Sequence, residues 1–131
     1  MKVLVCDAEA VLLSAIEFRL RKYGFEMVQA SLKDVPEAMQ QHQPDLLIID
    51  TEQTPAESVA FLQSLKKDQP KLPVIMVSPL EDEEELWKAM QYGADDFVTK
   101  PFKLIELVLR VRKLLNLPER DTDGSTLRIN M

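Results

Sequence analysis

No disulfide can close within this chain and no cysteine-based zinc site can form, because Cys6 is its only cysteine. Its neighbours Val3, Leu4 and Val5 are apolar, so a buried structural thiol is expected rather than a reactive one. Histidine is equally scarce. His42 stands alone in the polar stretch Gln40-Gln41-His42-Gln43, which reads as a solvated helix end and argues against a histidine metal site or a Ser-His-Asp triad. No apolar run approaches the roughly 20 residues that cross a bilayer, and the segment from Met1 to Asp7 is too short and turns acidic too soon for a signal peptide. A cytoplasmic protein with no membrane partner is the expectation. Positive charge is in deficit as well: the formal net charge is −6, whereas a polyanion binder presents a basic face. Direct nucleic-acid binding by this segment is not expected.

What is present is ordinary globular composition, 46% hydrophobic and 29% charged, in 131 residues. That length fits one domain of typical size and could hardly fill a second core. Val3-Leu4-Val5-Cys6, Leu46-Leu47-Ile48-Ile49 and Val74-Ile75-Met76-Val77 are short apolar runs, each ended by a polar residue or proline. They read as buried strands of a parallel sheet covered on both faces. Weaker strands are expected over Glu26 to Ala30 and Asp96 to Thr99. Helical spacing separates them, with Val11, Leu12, Ala15, Ile16 and Leu20 before Gly24, then Val35, Ala38 and Met39, then Val59, Leu62 and Leu65.

A final helix is expected from about Lys103 to Asn116, before Pro118. Five β-α repeats imply an α/β, doubly wound five-stranded sheet with right-handed crossovers. Residues 1–117 form the expected domain, and 118–131 a polar linker or the start of a further segment. Because Leu127 to Met131 resumes an apolar-polar alternation, the chain is expected to be the amino-terminal piece of a longer protein.

Ligands of such sheets sit at the carboxyl ends of the strands. The residues there are Asp7, Asp50, Ser78 and Lys100. A carboxylate can attack a phosphoryl group, a divalent cation can neutralise the gathered negative charge, and a lysine with a hydroxyl can hold the transferred oxygens. Any one of the four alone reads as an ordinary loop residue. The ordered set points to phosphoryl chemistry on an aspartate.

Three segments carry a resemblance. Pro44-Asp45-Leu46-Leu47-Ile48-Ile49-Asp50, Leu72-Pro73-Val74-Ile75-Met76-Val77-Ser78 and Gly93-Ala94-Asp95-Asp96-Phe97-Val98-Thr99-Lys100-Pro101-Phe102 closely resemble the receiver domains of two-component response regulators. The spacing fits without gaps from Asp7 to Asn116. The resemblance implies a flavodoxin-like (βα)5 fold with strand order 2-1-3-4-5. It implies a phosphoryl group passed from a histidine kinase to Asp50, with Lys100 and Ser78 on the phosphoryl oxygens, and an output domain or partner that is switched. It also implies a cis Lys100-Pro101 bond. Phe97 falls where the family has an aromatic that changes rotamer, although a plain core or surface aromatic would look the same in sequence.

The chain departs from the family at its metal site. Two adjacent acids usually end the first strand, and here the pair reads Asp7-Ala8, so one magnesium ligand is missing. Glu52, two residues beyond Asp50, either lends a carboxylate to the metal or is a solvated loop residue. The metal ligands expected by resemblance are thus Asp7, Asp50 and Glu52, around a weakly held or absent Mg2+, with water filling the vacancy at Ala8. The loop Thr51 to Ser58 lacks the usual methionine-proline and glycine, and its proline, Pro55, comes one residue late.

Two alternatives stand beside the phosphorylated switch. One is a pseudo-receiver, an interaction module that keeps the fold without the chemistry, favoured by Ala8. The other is a phosphatase similar to the haloacid dehalogenase group. The latter is disfavoured because Glu52 stands where its acid/base aspartate belongs, its metal acids follow the lysine whereas Asp95 and Asp96 precede Lys100, and no cap domain is present; no enzyme activity is expected. A homodimer is expected through the fourth helix, fifth strand and fifth helix. The fifth helix has more apolar positions than one core stripe requires, and Trp87 and Met90 either join that surface or, for Trp87, turn inward. Asp96, Glu106 and Arg110 match positions of cross-subunit ion pairs in winged-helix regulators, but Leu86 stands where that pattern has a basic residue.

Overall fold

The computed structural model describes residues 1–79, 83–117, 119–120 and 126–127. Five strands, β1 (Lys2–Cys6), β2 (Glu26–Ala30), β3 (Leu46–Asp50), β4 (Val74–Pro79) and β5 (Asp96–Lys100), pair in parallel in the order β2-β1-β3-β4-β5. Helices α1 (Ala10–Lys22), α2 (Val35–His42), α3 (Pro55–Asp68), α4 (Glu83–Gln91) and α5 (Leu104–Leu114) make the crossovers, and a 3-10 turn over Leu32–Asp34 leads into α2. This is the expected doubly wound receiver fold and strand order.

Alternation along each strand divides the core into two layers. Val3, Val5, Leu46, Ile48, Ile75 and Val77 face Ile16, Leu20, Leu107, Val108 and Val111 of α1 and α5. Leu4, Cys6, Leu47, Ile49, Val74 and Met76 face Val35, Ala38, Leu62, Leu65 and Ala89 of α2, α3 and α4. β3, central in the sheet, is buried at every residue, which is why its sequence is continuously apolar until Asp50.

Local chemistry sets the element ends. α1 stops at Tyr23 and Gly24, the latter at φ +90, where a side chain would be strained. The late Pro55 is the first residue of α3, a position where the missing N–H has no helical partner to lose. α5 ends short of Asn116, which adopts φ 56, a left-handed conformation that closes the helix. Among the described residues no helix is long and apolar enough to cross a membrane.

Beyond the sheet, β6 (Glu119–Arg120) pairs antiparallel with β7 (Thr126–Leu127). The expected linker thus contains a short ladder, and the expected run from Arg128 to Met131 lies outside the described residues.

Candidate functional site

The parallel register brings the four strand-end residues to one end of the sheet. Asp50, the last residue of β3, lies opposite Val77 of β4; Ser78 is the next residue of β4, and Lys100 ends β5 opposite Pro79. Asp7 follows β1 directly, in a left-handed conformation at φ 61, and its N–H bonds to the Ala30 carbonyl at 3.2 Å. A non-glycine residue at positive φ stores backbone strain, which clusters at functional sites.

Asp50 is 3% exposed. Its Oδ1 accepts the Glu52 backbone N–H at 3.0 Å, and its Oδ2 lies 2.8 Å from Lys100 Nζ. The second contact is a close ion pair between a buried carboxylate and a largely buried ammonium. Ser78 Oγ is fully buried and has no hydrogen-bond partner among the described residues. Leaving such a hydroxyl unmet costs about 1–3 kcal/mol, so a buried orphan on the strand next to the Asp50 carboxylate marks a place for a ligand oxygen.

Glu52 turns toward the lysine. Its Oε2 is 3.2 Å from Lys100 Nζ, so one ammonium is shared by two carboxylates. Burial lowers the Lys100 pKa, but the contacts and attraction of Asp50 and then of Glu52 outweigh it, and the net shift is upward. Lys100 therefore stays charged. The Lys100-Pro101 bond is cis, as the resemblance implied.

The irregular loop has its own order. Thr51 is buried, and both its N–H and its Oγ1 donate to the Val77 carbonyl, at 2.8 and 3.1 Å. Thr54 Oγ1 donates to Asp7 Oδ2 at 3.5 Å and lies 3.3 Å from Ser58 Oγ. These hydroxyls were not singled out in the sequence; a threonine just before a proline-initiated helix, followed four residues on by a serine, was the available signal.

The donor set for a metal is small. Ala8 is half-buried against the α1 and α5 side of the core and offers no side-chain oxygen. Among the described residues no group of three or more His, Cys, Asp or Glu side chains is spaced to hold a metal ion. Asp7 and Asp50 remain, two hard-oxygen carboxylates on neighbouring strand ends. That is enough for magnesium, which keeps several waters and takes one or two carboxylates beside substrate phosphates.

The chain matches the response regulator receiver domain family over residues 3–112. It belongs to that family. A probable transcriptional regulator, ycf27, of Cyanophora paradoxa is 34% identical over 128 residues, 95% of this chain and 52% of that protein. The alkaline phosphatase synthesis transcriptional regulatory protein PhoP of Bacillus subtilis (strain 168) is 26% identical, over 97% of this chain and 53% of its own. The chain spans about half the length of the curated relatives it matches. Among solved structures, the receiver domain of NtrX from Brucella abortus superposes with a TM-score of 0.78 at 29% identity, covering 87% of this chain and 98% of that one. A response regulator from Thermotoga maritima gives 0.79 at 25% identity, covering 88% and 97%. The chain is thus a receiver domain of a two-component response regulator.

Three other residues singled out in the sequence have clear places in the receiver. Phe97 on β5 is half-buried against the α2, α3 and α4 side of the core. Trp87 does not turn inward: it is 69% exposed on α4, near the exposed Met90 of the same helix. Arg110 pairs within its own chain, with Asp96 at 2.6 Å and Glu106 at 3.2 Å.

Proposed function

We propose that this receiver accepts a phosphoryl group on Asp50 from a phosphohistidine of a histidine kinase. The observation that carries the reading is the buried Asp50 carboxylate against Lys100, with the unpartnered Ser78 hydroxyl on the adjacent strand. An Asp50 oxygen attacks phosphorus, the new O–P bond forms as the P–N bond to imidazole breaks, and the imidazole leaves with a proton from solvent. Charge gathers on the equatorial phosphoryl oxygens, where Lys100 and a hydroxyl donor stabilise it. Lys100 moves its contact from the carboxylate to a phosphoryl oxygen, and Ser78 Oγ gains the acceptor it lacks. Asp7 and Asp50 would hold Mg2+ weakly, and the ion would add positive charge beside those oxygens.

The domain acts as a switch and not as an enzyme, in a cytoplasmic protein whose output lies outside this segment. Support for a separate output domain comes from the transcriptional regulators of about twice its length. The −6 net charge argues that any nucleic-acid contact belongs to that part. A homodimer through α4, β5 and α5 is supported by Trp87, Met90 and Leu109, which are 69%, 48% and 44% exposed.

Intact-mass measurement after incubation with acetyl phosphate and magnesium tests the reading. One phosphoryl increment is expected, lost in Asp50→Asn. No increment in the natural protein at saturating donor and magnesium, with an increment in Ala8→Asp, would make the chain a pseudo-receiver; no increment in either would overturn the site assignment itself.

A further inference from the structure

Glu52 brackets the acceptor from two sides. Its backbone N–H holds Asp50 Oδ1 at 3.0 Å, while its carboxylate draws on the ammonium that also faces Asp50 Oδ2. The main-chain bond is indifferent to the side chain. The carboxylate is not: it puts a negative charge next to the position where phosphoryl oxygens must gather, and it occupies a donor of the only cation placed there among the described residues.

We propose, on the reading of Asp50 as acceptor, that Glu52 is a gate that divides Lys100 between two carboxylates and slows phosphoryl entry until the lysine lets go. Lys100 is suited to such sharing. An ammonium on a flexible stem has three donors and no fixed fork, so it can hold Asp50 and Glu52 together and later exchange Glu52 for a phosphoryl oxygen. The two contacts differ in environment. The Asp50 side chain is 4% exposed and that of Glu52 is 47% exposed, so the Glu52 contact is more open to water and salt, and is the one that opens first.

Glu52→Gln tests this, since it removes the charge and keeps the backbone N–H on Asp50. Labelling of the intact chain by acetyl phosphate should be faster in Glu52→Gln, by about two- to fivefold, the worth of one half-exposed ion pair. The magnesium concentration for half-maximal labelling should stay the same, and added salt should speed the natural protein more than the variant. The Lys100 side-chain NMR signal, assigned with Lys100→Arg, should move on Glu52→Gln without any phosphodonor.

A variant that labels more slowly and needs more magnesium would make Glu52 a metal ligand and overturn the gate. Equal rates, or an unmoved Lys100 signal, would overturn it too. If the signal moves but neither protein is labelled, the acceptor reading fails first and the gate falls with it.

Discussion

Arg110 of α5 reaches back across the sheet edge to Asp96 at the start of β5, with Nη1 2.6 Å from Oδ1, and ties two of the three elements of the proposed dimer face together within one chain. The bond to Asp96 is the main reason that the guanidinium pKa is raised, with burial opposing it and Glu106 adding to it. Half-exposed pairs of this kind contribute little to folding. Asp96→Asn should therefore lower the free energy of unfolding in urea by less than about 1 kcal/mol. If it also changes the sedimentation of the phosphorylated form, the pair serves assembly more than monomer stability.

Trp87 is the only tryptophan, so fluorescence reports α4 alone. At 69% exposure its emission should be that of a hydrated indole and readily quenched by iodide. A phosphoryl mimic such as beryllofluoride should shift the emission to the blue and reduce quenching as protein concentration rises, if α4 closes on a second copy. Unchanged emission together with a monomeric sedimentation profile would count against the dimer.

Asp95 pins β4 to α3. Its Oδ2 accepts the Val74 N–H and the Lys66 ammonium, each at 2.8 Å, and Lys66 Nζ also donates to the Leu72 carbonyl at 2.7 Å. Asp95→Ala leaves the Val74 N–H unmet and removes the counter-charge from a lysine side chain that is 12% exposed. A loss of about 1–3 kcal/mol is expected in chemical denaturation. Labelling of Asp50 should persist in whatever fraction stays folded.

Burial pushes the Cys6 thiol far above its ordinary value of 9.0, with Asp7 and then Asp50 adding to the shift. The folded state thus holds the proton more tightly than the unfolded chain. The stabilising difference is complete below the unfolded pKa and is lost as pH rises above it, by up to ~1.4 kcal/mol per pH unit. Urea midpoints should fall between about pH 8 and about pH 10, and less steeply in Cys6→Ala. A thiol reagent should label Cys6 only as fast as the protein opens.

Ala8→Asp adds a carboxylate next to Asp7. Less magnesium should then be needed for half-maximal labelling, and labelling at low magnesium should be faster. Because Ala8 is half-buried against the core, some loss of stability should accompany the gain. An unaltered magnesium requirement would show that position 8 does not face the metal.

Much of this protein is legible before any coordinates. The central strands β1, β3 and β4 are written as continuous apolar runs because both faces of the sheet are covered, and β2 and β5 read more faintly because edge strands are half-buried. Asp50, Ser78 and Lys100 stand out as an ordered set at the ends of successive strands, where any one of them alone would read as an ordinary loop residue.

Other features depended on contacts between segments distant in sequence. A glutamate side chain can swing to either side of a loop, and only the pairing of β5 with β4, one strand beyond β3, put an ammonium within 3.2 Å of Glu52. The side of α4 that faces outward was likewise open, since Trp87, Ala89 and Met90 allow more than one apolar stripe. Packing against α3 and β5 buried Ala89 and left the indole in water, because the small residue fits against its neighbours where the large one would not.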